Sequence, residues 1–293
     1  MLGTFHLNAL YDILKELHFL YQSEKIYSYL IENLMRAVDA DAASIFLMDA
    51  QKKSLILRAC TGPKKNVLDL VSEEIPFPLG VGVCGWVAQY NQPIIVDDAS
   101  KDERFSAQVD SVTGYKTKSI LCAPLANKDE ILGVIEILNK KATVFNKNDL
   151  DFVAIVARQA SIALQNSQLY GQLIATKNFN ESVISNLTGG FITIDQKGLI
   201  SHLNTVAEKL LQISNTDSVG KNYSEILKYY PDFHRELTWA LNSKEKKVRQ
   251  EFICNKPDQT QIKIGFSSFP ILDSTQNTMG AAIIFQDITH FSK

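Results

Sequence analysis

The sequence has little cysteine and none of it is paired for chemistry. Cys60, Cys84, Cys122 and Cys254 lie far apart and form no Cys-x-x-Cys pair. They read as reduced, small, buried side chains of a cytoplasmic protein. Charge of one sign is missing too: 30 Lys and Arg face 32 Asp and Glu, a net charge of −2. That leaves no basic field for nucleic acid and no reason to expect a membrane surface. No apolar run reaches the roughly 18 residues of a membrane span. Asp12, Lys15 and Glu16 break up the N-terminal apolar residues, so no signal-peptide core is expected. The five histidines (His6, His18, His202, His234 and His290) all avoid residues 39–148. An iron or haem centre in that region would lack its usual nitrogen ligand.

What is present is apolar and periodic. The 293 residues, 45% of them hydrophobic, suggest two well-cored domains. They are organised around the stretch from Asn148 to Asn186, which holds no Pro and one Gly, Gly171. Apolar residues recur at Phe152/Val153, Val156, Ala160, Ala163/Leu164, Leu169/Tyr170, Leu173/Ile174 and Val183/Ile184, close to helical spacing. Asn148 is the expected N-cap, with Asp149 and Asp151 in the first turn. The first half carries a broad apolar face and the second a narrower, more polar one. The pattern fits one long helix leaving a domain, or two helices with a bend near Gly171.

Ahead of it, residues 5–38 predict one or two amphipathic helices. Leu7, Leu10, Leu14, Leu17 and Tyr21 share one face, followed by Ile26, Leu30, Leu34 and Val38. From Ala42 the period changes. Strands are expected at Ala43–Asp49, Ser54–Ala59, Glu74–Phe77, Ile94–Val96, Ser119–Leu125 and Ile131–Leu138. A Gly-rich loop, Pro78 to Gly85, precedes a short helix at Trp86–Tyr90. Lys101–Thr113 reads as an irregular lid whose short helix stops at Gly114. Beyond Asn186, strands at Phe191–Asp195 and Leu199–Leu203, three short helical stretches and three strands ending at Asp287 suggest a five-stranded antiparallel sheet. The fold class is α+β: two domains, each an antiparallel sheet flanked by helices, joined by a long helix. The expected divisions are residues 1–170, a connector at 171–180, and 181–293.

Four stretches carry a resemblance to the GAF domain: Ser44-Ile-Phe-Leu-Met-Asp49, Pro78-Leu-Gly-Val-Gly-Val-Cys-Gly-Trp-Val87, Thr113-Gly-Tyr-Lys-Thr-Lys-Ser-Ile-Leu-Cys-Ala-Pro124 and Gly133-Val-Ile-Glu-Ile-Leu-Asn-Lys140. The second half resembles a PAS domain through Gly190-Phe-Ile-Thr-Ile-Asp195, Asn204, Val219-Gly-Lys221 and Phe285-Gln-Asp-Ile-Thr289. Such tandems are sensory input regions of bacterial signalling enzymes. Asn139, Lys140, Phe145 and Asp149 match a motif found in a GAF subgroup that includes the cyclic-nucleotide-binding domains of phosphodiesterases and adenylyl cyclases. The final Glu of that motif is Leu150 here. The resemblance makes these four residues a brace for the pocket. The Lys140–Asp149 pair, if it lies at the surface, is worth only about 0–1 kcal/mol.

The same resemblance gives ligand-contacting positions at Ser44, Val83, Cys84, Asp110, Thr113, Thr117 and Glu136, with Phe46 against the ligand's apolar face. A carboxylate inside the apolar strand Gly133–Leu138 needs a partner, and a purine edge could supply one. Val81, Val83 and the loop glycines would bring backbone N–H groups to a phosphate. The implied regulatory ligand is cAMP or cGMP. The residues fit another small molecule, or a dimerisation domain with no ligand, as well. None of the cysteines is followed by His, which argues against a bilin chromophore. Cys84 could also be the thiolate of a GAF-type methionine sulfoxide reductase, a reading that requires a lowered pKa. No catalytic domain is recognisable in the 293 residues. The expected partners are a small molecule, a second copy in a parallel homodimer and a C-terminal output domain, a histidine kinase before a nucleotide cyclase. Neither nucleic acid nor membrane is expected.

Overall fold

The structure is a computed structural model and describes residues 4–17, 23–62, 77–107, 110–111, 114–128, 130–257 and 259–291. The chain divides into two units, Met1–Leu173 and Ile174–Lys293.

The first unit opens with helices α1 (Thr4–Leu17) and α2 (Ser23–Ala37). Ile26, Leu30 and Leu34 are fully buried, as their spacing predicts. On α1 the inward face differs from the expectation. Ile13 and Leu17 are buried and Leu7 is half exposed, because the neighbouring His6 takes the inward place and stacks on Phe152 at 4.9 Å. Tyr21 lies outside the described residues, as do positions 74–76 of the expected third strand.

Six strands follow: β1 (Ala40–Met48), β2 (Ser54–Thr61), β3 (Phe77–Pro78), β4 (Ile94–Val96), β5 (Ile120–Ala126) and β6 (Ile131–Lys140). They form an antiparallel sheet in the order β3-β2-β1-β6-β5-β4. Alternation divides its side chains between two cores. Ile45, Leu121, Ala123, Ile135 and Ile137 join α1 and α2 in one. Phe46, Leu57, Ile120, Cys122 and Val134 face the other, beneath helix α3 (Gly82–Tyr90). Gly133 allows β6 to lie close to β1, since a Cβ there would sit 2.0 Å from the Phe46 carbonyl oxygen.

From β6 the chain turns into helix α4, Lys147–Ser185, 39 residues unbroken through Gly171. Its cap is Asn146 and not Asn148. Asn146 Oδ1 accepts from the N–H groups of Asn148 (2.8 Å) and Asp149 (3.2 Å), while Asp149 Oδ2 accepts from Asn146 N–H at 2.9 Å. This is a reciprocal capping box. The same carboxylate receives Lys140 Nζ from the end of β6 and lies 3.5 Å from His6 Nε2. Asp149 is only 1% exposed and the Lys140 side chain largely covered, so the pair lies inside the domain and not at the surface. The aromatic rings of Phe145 and Phe152, both buried, shield it. Helix α4 packs on the sheet through Phe152, Val153, Val156, Ala157, Ala160 and Leu164. Beyond Ser167 its large apolar residues Leu169, Leu173, Phe179 and Val183 are exposed.

The second unit is a five-stranded antiparallel sheet of β7 (Gly190–Asp195), β8 (Ile200–Leu203), β9 (Lys247–Asn255), β10 (Gln261–Leu272) and β11 (Thr278–Asp287), in the order β8-β7-β11-β10-β9. Helices α5 (Thr205–Leu211), α6 (Asn215–Ser218), α7 (Tyr223–Ile226) and α8 (Pro231–Asn242) lie between β8 and β9. Gly220, with φ of 80°, lies in the turn between the short helices α6 and α7. Phe233 packs edge-to-face on Phe252 and Phe285 and fills the core. Asn204, 2% exposed, accepts from Phe191 and Ala207 N–H and donates to the Ile184 and Gly189 carbonyls. It fastens the end of α4 to the start of β7 and caps α5.

Two outcomes follow from this architecture. Gly171→Ala adds a Cβ that meets no atom within 4 Å, so it should raise stability by about 0.5–1 kcal/mol in urea unfolding. Asp149→Ala leaves Lys140 buried without its partner and should cost about 3–5 kcal/mol. Adding Lys140→Met to it should recover part of that loss, read as a non-additive double-mutant cycle.

Candidate ligand-binding site

Between the sheet and α3 lies a cavity of about 120 Å³. Its floor is a row of side chains set by strand register. Cys60 on β2 stands opposite Ser44 on β1, Ser44 opposite Glu136 on β6, and Glu136 opposite Cys122 on β5. A register shift between Ile45 and Phe46 in the β1–β2 pair accompanies this row. Val83 and Cys84, in the first turn of α3, form the opposite wall, and Phe46 packs edge-to-face on Phe77 at 5.0 Å beside them.

Helix α3 begins at Gly82, four residues before the expected start, because Gly80 and Gly82 adopt positive φ and wind the Gly-rich loop directly into it. Gly80 N–H is bonded to Gly85 O at 2.9 Å and Val81 N–H to Pro78 O at 3.2 Å. Those two amides, expected to meet a phosphate, are therefore occupied. Among the described residues neither Lys nor Arg lines the cavity.

The lid closes on itself through two of the expected contact residues. Asp110 accepts from Thr117 N–H at 2.7 Å and from Thr117 Oγ1 at 2.8 Å. Gly114, with φ of 62°, donates to the Asp110 carbonyl at 2.8 Å and ends the short helical turn. Thr113 lies outside the described residues. The segment after Gly114 is held by Asn139, a buried residue with φ of 55° at the end of β6. Its Oδ1 accepts from Lys118 N–H (2.7 Å) and Ser119 N–H (3.2 Å), and its Nδ2 donates to Lys116 O (2.9 Å) and Tyr115 Oη (3.0 Å).

Ser44, Phe46, Val83, Cys84, Asp110, Thr117 and Glu136 all line this one cavity. Asn139, Lys140, Phe145 and Asp149 do not: Asn139 holds the lid segment, and the other three meet at the start of α4. Tyr115, Phe105 and Leu138 line it without having been expected. Leu138 was within reach of strand alternation, two residues after Glu136. Tyr115 and Phe105 sit in the irregular lid, where no period points to a face.

Burial pushes the Glu136 carboxyl up to about 7; a hydrogen bond from Cys84 Sγ at 3.1 Å opposes the rise and the Asp110 charge adds to it. Burial, the Cys122 thiol and Glu136 together push the Cys84 thiol well above its ordinary range. That is the reverse of the lowered pKa on which a resting reductase thiolate depends. Burial and Asp41 push the Tyr115 hydroxyl up to about 12. Among the described residues no group of three or more His, Cys, Asp or Glu side chains is placed to hold a metal ion.

Comparison with known proteins agrees with this geometry. Residues 23–164 match the GAF domain and residues 178–288 the PAS fold. A probable 3′,5′-cyclic phosphodiesterase of Caenorhabditis elegans is 33% identical over 172 residues, 57% of this chain and 24% of its own length. A cGMP-specific 3′,5′-cyclic phosphodiesterase of Drosophila simulans is 29% identical over 271 residues, 85% of this chain and 23% of its own. The chain thus spans about a quarter of the length of these relatives. Among solved structures, the GAF domain of a phosphoenolpyruvate-protein phosphotransferase from Coxiella burnetii is 21% identical with a TM-score of 0.51, covering 57% of this chain and 96% of that one. That likeness concerns the fold.

The elevated Glu136 carboxyl has a consequence for stability. Folded, it holds a proton up to about pH 7; unfolded, it releases it near the ordinary 4.5. The folded state therefore binds more protons between these values, and stability from this group falls as pH rises from about 4.5 to about 7. The bound set by the shift is about 3 kcal/mol, reduced by whatever water enters the cavity. Glu136→Gln should flatten this slope in urea melts from pH 5 to 8 and be the more stable form at pH 8. Parallel slopes for the two proteins would contradict the assignment.

Proposed function

This chain is a GAF domain followed by a PAS domain, and from that premise we propose that it is a regulatory module whose first domain, residues 1–170, binds a cyclic nucleotide. One observation carries the reading. Hydrogen-bond acceptors from Ser44, Glu136 and Asp110 line the same cavity as the apolar side chains Phe46, Val83 and Phe105. A purine needs both: an edge of donors and acceptors, and faces that prefer apolar contact. The relatives' action on cyclic nucleotides favours that ligand over other ring compounds.

The cavity volume sets how the ligand enters. About 120 Å³ is near the roughly 150 Å³ of an engineered cavity that takes benzene, so it holds one ring. A whole nucleotide requires the lid to give way. The Asp110–Thr117 bonds are the ones a bound base would replace or lengthen. The phosphate would be met by backbone N–H groups in the first turn of α3, which forms one wall of the cavity.

The signal path in this proposal runs along β6. Glu136 on the floor, Asn139 on the lid and Lys140 on Asp149 fall within five consecutive positions of one strand. A change at the floor reaches the first turn of α4 through them, and α4 continues through a connector at 171–180 toward the PAS domain, residues 181–293. Exposed Ile155, Ile162 and Leu169 repeat every seven residues, and Leu173 continues the stripe. That spacing suits a parallel homodimer through α4. The module is cytoplasmic in this reading. As the attached output a histidine kinase is our first reading; the phosphodiesterase relatives favour a second, an enzyme acting on cyclic nucleotides.

Thermal unfolding with cGMP and with cAMP tests the ligand. At one hundred times Kd a bound nucleotide stabilises by about 2.7 kcal/mol, roughly 5–10 °C for a domain of this size. Asp110→Ala combined with Thr117→Ala should abolish that shift. No shift with either nucleotide at millimolar concentration, or an equal shift in the double variant, would refute the pocket assignment.

A further inference from the structure

Cys84 in the cavity wall and Cys122 behind it are arranged for a reaction that ligand binding does not use. Cys84 Sγ donates to Glu136 Oε1 at 3.1 Å, and Cys122 Sγ lies 4.0 Å from Cys84 Sγ. Cys84 lines the cavity, and Cys122, fully buried, lies behind the lining, opposite Glu136 on the adjoining strand. A nucleophile with a base in hydrogen-bond contact, open to a small molecule on one side and to a second thiol on the other, is the geometry of a two-cysteine oxidation site.

We propose that Cys84 and Cys122 are a dithiol oxidised to a disulfide by hydroperoxide entering the cavity, with Glu136 as the base. Glu136 takes the Cys84 proton as Sγ attacks the peroxide. The O–O bond breaks, one oxygen stays on sulfur as a sulfenic acid, and the other leaves as water with that proton. Cys122 Sγ then attacks Cys84 Sγ; the S–S bond forms and the sulfenic oxygen leaves as a second water with the Cys122 proton. The two sulfurs lose two electrons and hydrogen peroxide gains two. At rest burial keeps both thiols protonated, so the reaction depends on the adjoining carboxylate and is slower than that of an exposed thiolate.

Oxidation changes the site itself. Bringing the sulfurs from 4.0 Å to a bond of about 2.05 Å draws Cys84 away from Glu136 and removes the S–H donor from that carboxyl. It also pulls the first turn of α3 toward β5. This step is independent of which ligand the cavity holds.

Treating the reduced chain with hydrogen peroxide, then alkylating under denaturing conditions, counts the remaining thiols. We expect a fall from four to two, with the Cys84 and Cys122 peptides linked in the digest, and the same linkage in Cys254→Ser. Cys122→Ser should stop at a Cys84 sulfenic acid that dimedone traps. Glu136→Gln should react at least about ten-fold more slowly and lose the pH dependence of the wild-type rate. Circular dichroism checks that each variant is folded, and the wild-type digest stands without them. Four thiols retained, a link between any other pair, or conversion of Cys84 to sulfinic acid with Cys122 still free would overturn the proposal.

Discussion

The buried carboxylate of Asp149 joins the parts of the first domain. It accepts from the backbone of Asn146, so it closes the cap of α4. It receives Lys140 from the end of the strand that carries the cavity floor, and it lies against His6 of the first helix. A charge at 1% exposure is tolerable only because its oxygens are occupied. The consecutive elements β6 and α4 and the sequence-distant α1 thereby have one relative arrangement. Such a pair adds little net stability over a well-packed apolar replacement, but any arrangement that leaves Lys140 or Asp149 unpaired is strongly disfavoured.

Two buried asparagines do comparable work in uncharged form. Asn139 closes four hydrogen bonds between the end of β6 and residues 115–119 of the lid. Asn204 closes four between the end of α4, the start of β7 and the cap of α5. In each domain an irregular segment with few ladder bonds is held by an amide side chain that donates and accepts together. Asn139 has the further property of tolerating the left-handed backbone at its own position. Strand β6 thus presents Glu136 to the cavity, Asn139 to the lid and Lys140 to the helix. Its period of two makes this possible: Glu136 and Leu138 face the cavity while Ile135 and Ile137 face the helices.

Much of this was legible in the sequence where periodicity speaks. The hairpin at 120–140, the strands of the second sheet and the long helix all follow from apolar spacing. The resemblance to known domains brought together seven residues that line one cavity. The helix cap was missed by two positions although the signal existed: an Asn three residues before an acid is the capping-box spacing, and Asn146 with Asp149 has it. Leu7 was assigned inward because the period alone does not show that a histidine can take the inward place. Strand register and loop contacts were out of reach. The row Cys60–Ser44–Glu136–Cys122 depends on how four strands align, and the Asp110–Thr117 bonds join two points of an aperiodic lid. The occupied amides of Gly80 and Val81 show the same limit, since a glycine-rich loop reads alike whether its N–H groups point outward or bond within it.

In the proposed relay the cavity floor and the first turn of α4 are coupled through β6. Amide hydrogen exchange across residues 146–156, with and without saturating cGMP, tests it most directly, with calorimetry on the same sample confirming occupancy. Coupling predicts slower exchange in that turn when the cavity is filled, although it touches no ligand. Full occupancy with unchanged exchange there would rule out the coupling.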